Sequence, residues 1–162
     1  MEDELRQYRW AEVAVVLDPA TGREIWRKQG AQDEVGFAEH ELVIMENALL
    51  AHNHPIGWRY PVSDPRHAGT SFSQSDIALA MMADVAELRA VTPLLRFSLK
   101  RPGSGWPDSA KVLADYDAID REVELALLHD MRNGSIDEAT AVARHGHEVV
   151  SRLSLMHGLN YT

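Results

Sequence analysis

Two short runs of the chain are apolar at every position, and they restrict the fold more than any other feature of the sequence. Val13–Leu17 is rich in β-branched residues and stops before Pro19, while residues 48–51 lead directly into a polar segment. A strand with one face in solvent alternates apolar and polar residues, whereas a strand covered on both faces does not. We therefore expect both runs to form inner strands of a sheet that is covered on each face.

The spacing of apolar residues, glycines and prolines predicts an α/β fold with a mixed β-sheet flanked by helices. The predicted strands lie near residues 12–18, 23–28, 48–54 and 94–100, and the predicted helices lie near residues 38–46 and 75–91. The second helix is predicted because apolar residues recur at helical spacing, and it has to end before Pro93. These apolar residues are Ile77, Met81, Val85 and Leu88.

After a loop at residues 101–107, the pattern is helical almost to the end of the chain. A C-cap at Asn133 and Gly134, followed by a capping box of Ser135 with Glu138, divides this region into two helices. We expect an αα-hairpin. The predicted organisation is a core at residues 1–101 and a helical hairpin at residues 102–162 that packs on the core as one compact unit.

Composition excludes several classes of function. The chain has 162 residues, with 16 Lys and Arg against 25 Asp and Glu, and its scattered basic residues offer no surface for a nucleic acid. It contains no cysteine, which excludes disulfides, thiolate zinc sites and cysteine nucleophiles. No apolar run approaches the roughly 20 residues that span a bilayer, and residues 1–10 lack the features of a signal peptide. We expect a cytoplasmic protein with no membrane or nucleic-acid partner.

His52 and His54 are two residues apart at the end of a predicted strand, so both side chains lie on the same face of the sheet. This arrangement suits two ligands of one metal ion. An isolated pair is weak support for a metal site, because the chain has eight histidines. Ser73 and Asp76 form a loose capping box at the start of the next predicted helix, and the helix would fix the direction of Asp76.

Together these residues give the order H-x-H-P … S-x-x-D, in which the first motif ends at Pro55. In this order the chain resembles the JAMM (MPN-type) zinc metalloproteases. Residues 51–57, which read AHNHPIG, are most similar to the RadC-type branch, whose segment reads HNHPSG. The resemblance spans about residues 10–100. The helical hairpin lies outside it. The arrangement of this core, a Gly-Trp-Pro loop at residues 105–107 and two closing helices is similar to domains of phage head-morphogenesis proteins.

The resemblance implies a core like that of JAMM proteins and cytidine deaminases, in which His52, His54 and Asp76 bind Zn²⁺ with water in the fourth position. Zinc with an open position is typical of catalytic sites. The resemblance also implies that Glu12 is the general base and that Ser73 stabilises the oxyanion. The expected reaction is hydrolysis of a peptide or isopeptide bond in a peptide or protein substrate.

Glu12 is the glutamate before the histidines that lacks a simple surface explanation. The five residues that follow it are all apolar, and a carboxylate entering a buried strand is costly unless it is paired, neutralised or hydrogen-bonded. The alternative is that Glu12 is a solvated residue at the strand edge, beside Arg9 or Arg23.

Residues 56–72 separate the two halves of the motif by a longer loop than is usual in the family. We expect this loop to form no regular element and to gate the site, unless His67 or Asp64 closes the zinc site as a fourth ligand. A different class of function also remains open. The chain would then be a non-catalytic zinc-binding module of phage or prophage origin that acts in assembly or interaction, with its helical tail bound to a partner.

Overall fold

The computed structural model describes the whole chain, residues 1–162, and confirms the predicted mixed sheet flanked by helices. The six strands are β1 (Val13–Leu17), β2 (Glu24–Gln29), β3 (Leu49–Asn53), β4 (Glu87–Val91), β5 (Arg96–Lys100) and β6 (Asn160–Tyr161). They lie in the sheet in the order β2-β1-β3-β4-β5-β6. The helices are α1 (Glu2–Leu5), α2 (Glu39–Met45), α3 (Gln74–Met82), α4 (Ser109–Arg132) and α5 (Glu138–His157). None of these helices is both long enough and apolar enough to cross a membrane.

Both faces of the sheet are covered, as the two apolar runs predict. Every residue of β1 and of β3 is buried. On one face, Ala14 and Val16 belong to a cluster of 24 buried residues that also includes side chains of α3, α4 and α5. On the other face, Val13 and Val15 pack in a cluster of seven that includes Leu5 of α1. Even-numbered positions of β1 and β3 therefore face the larger cluster, and this face carries the candidate site.

Residues 83–91 differ from the prediction, which extends one helix from residue 75 to residue 91. Helix α3 ends at Met82, Asp84 has a positive φ of 47°, and β4 begins at Glu87. Strand β4 runs parallel to β3, so α3 is the crossover between them. The sequence of β4 is compatible with a helix, and pairing in the sheet overrides this preference.

The two C-terminal helices share one hydrophobic core with the sheet. Val112 of α4 and Val149 of α5 lie in the same 24-residue cluster as the residues of β1. Gly158 ends α5 in the left-handed conformation, with φ of 64°, and the chain then returns to pair with β5 as β6. The division at residue 101 is therefore not a division between two hydrophobic cores.

The start of α5 differs by two residues from the predicted capping box. Asp137 is the N-cap, and its carboxylate accepts a hydrogen bond from the backbone N–H of Thr140. Asp caps a helix as well as Ser does, and Asp137 lies directly before the helical residues. Ser135 therefore belongs to the preceding turn.

The segment at residues 56–72 is more regular than the sequence predicts. It overlaps two short 3₁₀ helices, Pro55–Arg59 and Pro65–Ala68, each of which starts at a proline. Proline has a φ suited to the first helical position and lacks the N–H that would be unpaired there. The segment also buries Phe72 completely in the larger cluster. The prediction that it forms no regular element is wrong.

Candidate metal centre

Strand β3 places the two histidines of the motif on the same face of the sheet. His52 lies between Ala14 of β1 and Ala90 of β4. His54 follows the last residue of β3, and its N–H still donates to the carbonyl of Val91 at 2.8 Å, which continues the strand geometry. The two Nε2 atoms are 2.8 Å apart. The alternation expected from the sequence therefore brings both imidazoles together.

The first turn of α3 adds Asp76 to the histidines. The backbone N–H of Ser73 donates to Oδ2 of Asp76 at 2.7 Å, and Oγ of Ser73 accepts from the N–H of Asp76 at 3.2 Å. This capping box turns the carboxylate toward β3. Oδ1 of Asp76 is 3.3 Å from Nε2 of His52, and Oδ2 is 3.6 Å from Nε2 of His54. One ligand atom from each residue lies within 4.8 Å of the others, so the group could bind a metal ion.

Hydrogen bonds and charges around the cluster determine which atoms of His54 and Asp76 are available to bind a metal ion. Nδ1 of His54 lies 3.0 Å from the carbonyl oxygen of Thr70. A carbonyl oxygen only accepts, so Nδ1 carries a hydrogen, and Nε2 is the nitrogen that faces the cluster and can bind a metal ion when the ring is neutral. Burial would raise the pKa of Asp76, but the facing His52 and His54 outweigh it and hold this pKa well below its ordinary value. The cluster thus contains two imidazole nitrogens and an ionised carboxylate.

Glu12 lies next to this cluster. The pairing of β1 with β3, extended by two residues beyond Ala14 and His52, brings Glu12 opposite His54. The backbone N–H of Glu12 donates to the carbonyl of Ala31 at 2.8 Å, which holds the residue at the start of β1. Its side chain is buried, with 8% of the residue exposed.

The carboxylate of Glu12 has no hydrogen bond to the protein. Burial raises its pKa, and the attraction of His52 and His54 only partly opposes that shift. No ion pair joins Glu12 to Arg9 or Arg23, so the alternative of a solvated, arginine-paired residue does not describe it. Glu12 is a buried and unpaired carboxylate beside the histidines.

Ser73 has its hydroxyl engaged in the capping interaction. Oγ of Ser73 donates to Oδ2 of Asp76 at 2.7 Å and lies 2.8 Å from Oγ of Ser75. The residue borders the same cavity as Glu12 and the histidines. In this arrangement Ser73 orients a candidate ligand, and its predicted role at an oxyanion stays a prediction.

Neither residue that could have closed the site from the 56–72 segment reaches the cluster. Nδ1 of His67 lies 2.9 Å from the carbonyl of Tyr60, and its ring packs edge-on against Trp58. The carboxylate of Asp64 pairs with Arg66 at 2.7 Å. The hypothesis of a fourth protein ligand from these two residues is wrong, because both side chains are used in packing within the segment.

Sequence reasoning missed Asn53, which separates the two histidines. Its side chain points to the opposite face of the sheet, where it is 2% exposed. Oδ1 of Asn53 accepts from the N–H of Val13 at 2.7 Å, and Nδ2 donates to the carbonyls of Tyr8 and Ala11 at 2.7 and 3.0 Å. Asn53 thus ties the chain on both sides of Glu12 to the histidine strand. The available signal was a polar residue in a buried strand, since such a group needs partners.

The cluster and Glu12 face a cavity of about 560 Å³, a volume typical of ligand-binding sites. Part of its wall is apolar and comes from three segments of the chain. We call this wall the apolar cleft. It consists of Val35, Phe37, Leu42, Leu79 and Met82.

No protein-family model, curated protein or solved structure matches the chain. The likeness to JAMM proteins therefore depends on the motif residues alone, and the function is argued from the site.

Proposed function

We propose that the protein is a zinc-dependent hydrolase of peptide or isopeptide bonds, of the JAMM type. One observation carries the proposal. His52, His54 and Asp76 converge within 4.8 Å, and the same cavity contains the buried carboxylate of Glu12. Three metal ligands alone would also fit a structural metal site, whereas an unpaired carboxylate beside them supplies the acid–base group that hydrolysis needs.

The donor set supports zinc rather than calcium or magnesium. Two imidazoles and one carboxylate form a three-residue set used by catalytic zinc sites, whereas Ca²⁺ and Mg²⁺ prefer oxygen ligands. Zinc held by His52, His54 and Asp76 would supply a Lewis acid that polarises the substrate carbonyl and allows water to react near neutral pH. The hydrogen bond from His54 to Thr70 and the capping box around Asp76 would hold two of the ligands in position.

Glu12 would move the proton in this reaction. Its carboxylate accepts a proton from the attacking water and then delivers that proton to the amine that leaves. Burial raises the pKa of Glu12, which brings the group closer to the pH at which it has to accept and donate.

The first test is the zinc content of the purified chain. We expect one zinc per chain in the wild type and none in the His54→Ala variant, measured by elemental analysis after dialysis. His40→Ala is the control, because His40 is exposed and lies outside the cluster. Zinc near one per chain in His54→Ala would show that the assigned site is wrong.

The second test concerns Glu12. We expect Glu12→Gln to keep zinc and fold but to hydrolyse a responsive peptide or isopeptide substrate roughly 10²- to 10⁴-fold more slowly, as is typical after loss of a general base. Glu46→Gln, at an exposed position outside the cavity, should retain the wild-type rate. An unchanged rate in Glu12→Gln would remove this residue from the mechanism.

The alternative is a non-catalytic zinc-binding module of phage or prophage origin that acts in assembly or interaction. Exposed apolar side chains on the C-terminal helices favour it, since such residues mark surfaces for partners; they include Leu125, Leu155 and Met156. Zinc binding without hydrolysis of any peptide or isopeptide substrate by the wild type would decide for this alternative.

A further inference from the structure

The order of the strands gives the cavity two different sides. Strands β2 and β3 end, and β1 begins, at the same end of the sheet, because β1 is antiparallel to both neighbours. The segment after β2, residues 30–38, therefore borders Glu12 on one side. The 3₁₀ helix Pro55–Arg59 follows β3 and lies beside His54 on the other side.

The apolar cleft lies on the side of Glu12. Its residues come from the segment after β2, from α2 and from α3, and they remain partly open to solvent. Met82 is 67% exposed, and the ring of Phe37 is held in place by Trp26 at a centroid distance of 6.1 Å. Large apolar side chains grouped around a cavity are a common feature of sites that bury an apolar group of a ligand.

Charge distinguishes the two sides further. Asp33 and Glu34 are exposed residues of the cavity wall on the side of the apolar cleft, and neither forms an ion pair with the protein. A substrate that carries its negative charge on this side would be repelled. The apolar cleft therefore suits a neutral apolar side chain and not an acidic one.

Arg59 lines the opposite side. Two other arginines have partners: Arg66 pairs with Asp64 at 2.7 Å, and Arg9 lies over the ring of Trp58 at 4.3 Å. Arg59 has no ion pair, although the chain contains 25 acidic residues against 16 Lys and Arg. An exposed arginine without an anionic partner in the wall of this cavity is complementary to a carboxylate of the ligand.

We propose that the substrate is a peptide with a large apolar side chain, such as Leu, Met or Phe, on the Glu12 side of the scissile amide and an acidic residue on the His54 side. The apolar cleft holds the first group and Arg59 receives the second. Asp33 and Glu34 reject the reversed orientation. This inference rests on the proposed hydrolase function, and it adds the substrate class.

The test separates recognition from catalysis by selecting for binding. A random library of 12-residue peptides is incubated with the zinc-loaded full chain that carries Glu12→Gln, and the retained peptides are sequenced. We expect the retained pool to be enriched in one large apolar residue and one Asp or Glu at a fixed spacing. In the best peptide, replacing the apolar residue with Ala should raise Kd by about 10- to 100-fold, the range that a hydrophobic pocket provides.

Two variants then assign each half of the preference to its residue. Met82→Glu should remove the preference for the apolar side chain, and Met156→Glu, at a position 59% exposed outside the cavity, should not. Arg59→Glu should reverse the preference from acidic to basic peptides, Arg59→Lys should retain it, and Arg121→Glu on α4 should have no effect. All four positions are exposed, and thermal unfolding of each of the five variants checks that it is folded.

The possible results are distinct. A retained pool without this pattern, or a pattern unchanged by both Met82→Glu and Arg59→Glu, overturns the inference. If the pattern and the effects of the variants are found but the wild type does not cleave the selected peptides, recognition stands and the hydrolase proposal fails. Cleavage of the selected peptides by the wild type supports both.

Discussion

The two sides of the cavity are built in different ways. On the ligand side, His54 and Asp76 belong to or directly follow regular elements, and each has a hydrogen-bonding partner in the chain: Thr70 for the histidine and Ser73 for the carboxylate. The side of the apolar cleft is here called the recognition side. There, residues 33–37 form no helix or strand, and Asp33, Glu34 and Gly36 are exposed. Groups that hold a metal ion need fixed positions, whereas groups that accept a substrate tolerate looser support.

This difference predicts how substitutions divide between the two sides. A change on the ligand side should cost free energy of unfolding, since it disturbs buried and hydrogen-bonded residues. A similar change on the recognition side should alter binding and leave stability almost unchanged. Pairs of like residues, one from each side, are the most direct comparison.

The largest difference is expected between two phenylalanines. Phe72 is completely buried and packs against His52 and Tyr161, with centroid distances of 6.4 and 6.2 Å. Phe72→Ala should lower the free energy of unfolding by about 3–5 kcal/mol, because it removes a buried ring and leaves a cavity. Phe37→Ala, on the partly exposed recognition side, should cost less than about 1 kcal/mol. Urea denaturation of the metal-free proteins measures both values, and equal losses would contradict the division.

The same packing reverses one expectation from the sequence. The sequence suggests that residues 56–72 are a gate that could be shortened without loss of zinc or stability. Phe72 fills the core and the carbonyl of Thr70 holds His54, so a shortened segment is expected to lose both stability and zinc. A deletion variant that kept its melting temperature and one zinc per chain would restore the original view.

The second prediction concerns Asn53. Asn53→Ala should lower the free energy of unfolding by about 1–3 kcal/mol, because it leaves the buried N–H of Val13 and two carbonyls without partners. Zinc should still bind, since the side chain of Asn53 lies on the face opposite the histidines. Hydrolysis should fall, because the chain around Glu12 loses its attachment to β3. Asn160→Ala, at an exposed position of β6, is the control and should change neither the free energy of unfolding nor the rate of hydrolysis. A stable variant with full activity would show that Asn53 does not position Glu12.

The ligand side was predictable because its signals are local in sequence. The two-residue spacing of His52 and His54 determines a shared face once they lie on a strand, and the spacing of Ser73 and Asp76 determines a capping box. Neither inference requires knowledge of a distant contact. The structure shows these four residues in the expected arrangement.

The recognition side had no comparable signal. Phe37, Leu42 and Leu79 come from three segments, and the order of strands in the sheet brings them to one cavity. Strand β4 was missed for a related reason. Its residues, Glu-Leu-Arg-Ala-Val, are compatible with a helix, and they form a strand because β3 lies parallel to them.

A third prediction compares two glycines and begins with Gly69. Gly69 has φ of +83° and ψ of −176°, a conformation that is essentially restricted to glycine. A Cβ there would lie 2.6 Å from Cβ of Thr92. Gly69→Ala should therefore lower the free energy of unfolding by about 1–3 kcal/mol. Gly69 precedes Thr70, whose carbonyl oxygen holds the ring of His54, so the variant should also bind zinc less tightly. Wild-type stability in Gly69→Ala would indicate that this turn can relax.

The smallest effect is expected at Gly36, on the recognition side. A Cβ added at Gly36 would meet no heavy atom within 4 Å, and Gly36 is not among the residues with positive φ. Gly36→Ala should raise the free energy of unfolding by about 0.4–1 kcal/mol, because alanine reduces the conformational freedom of the unfolded chain without strain in the folded one. Urea denaturation at unchanged m-value measures this gain, and a loss would mean that residues 33–37 need the freedom of glycine in the folded state. Gly36 lies between Val35 and Phe37 of the apolar cleft, so the peptide selection on the same variant tests whether peptide binding, as distinct from folding, needs the flexibility of glycine. An unchanged peptide preference together with raised stability would show that the shape of residues 33–37, and not their flexibility, determines binding.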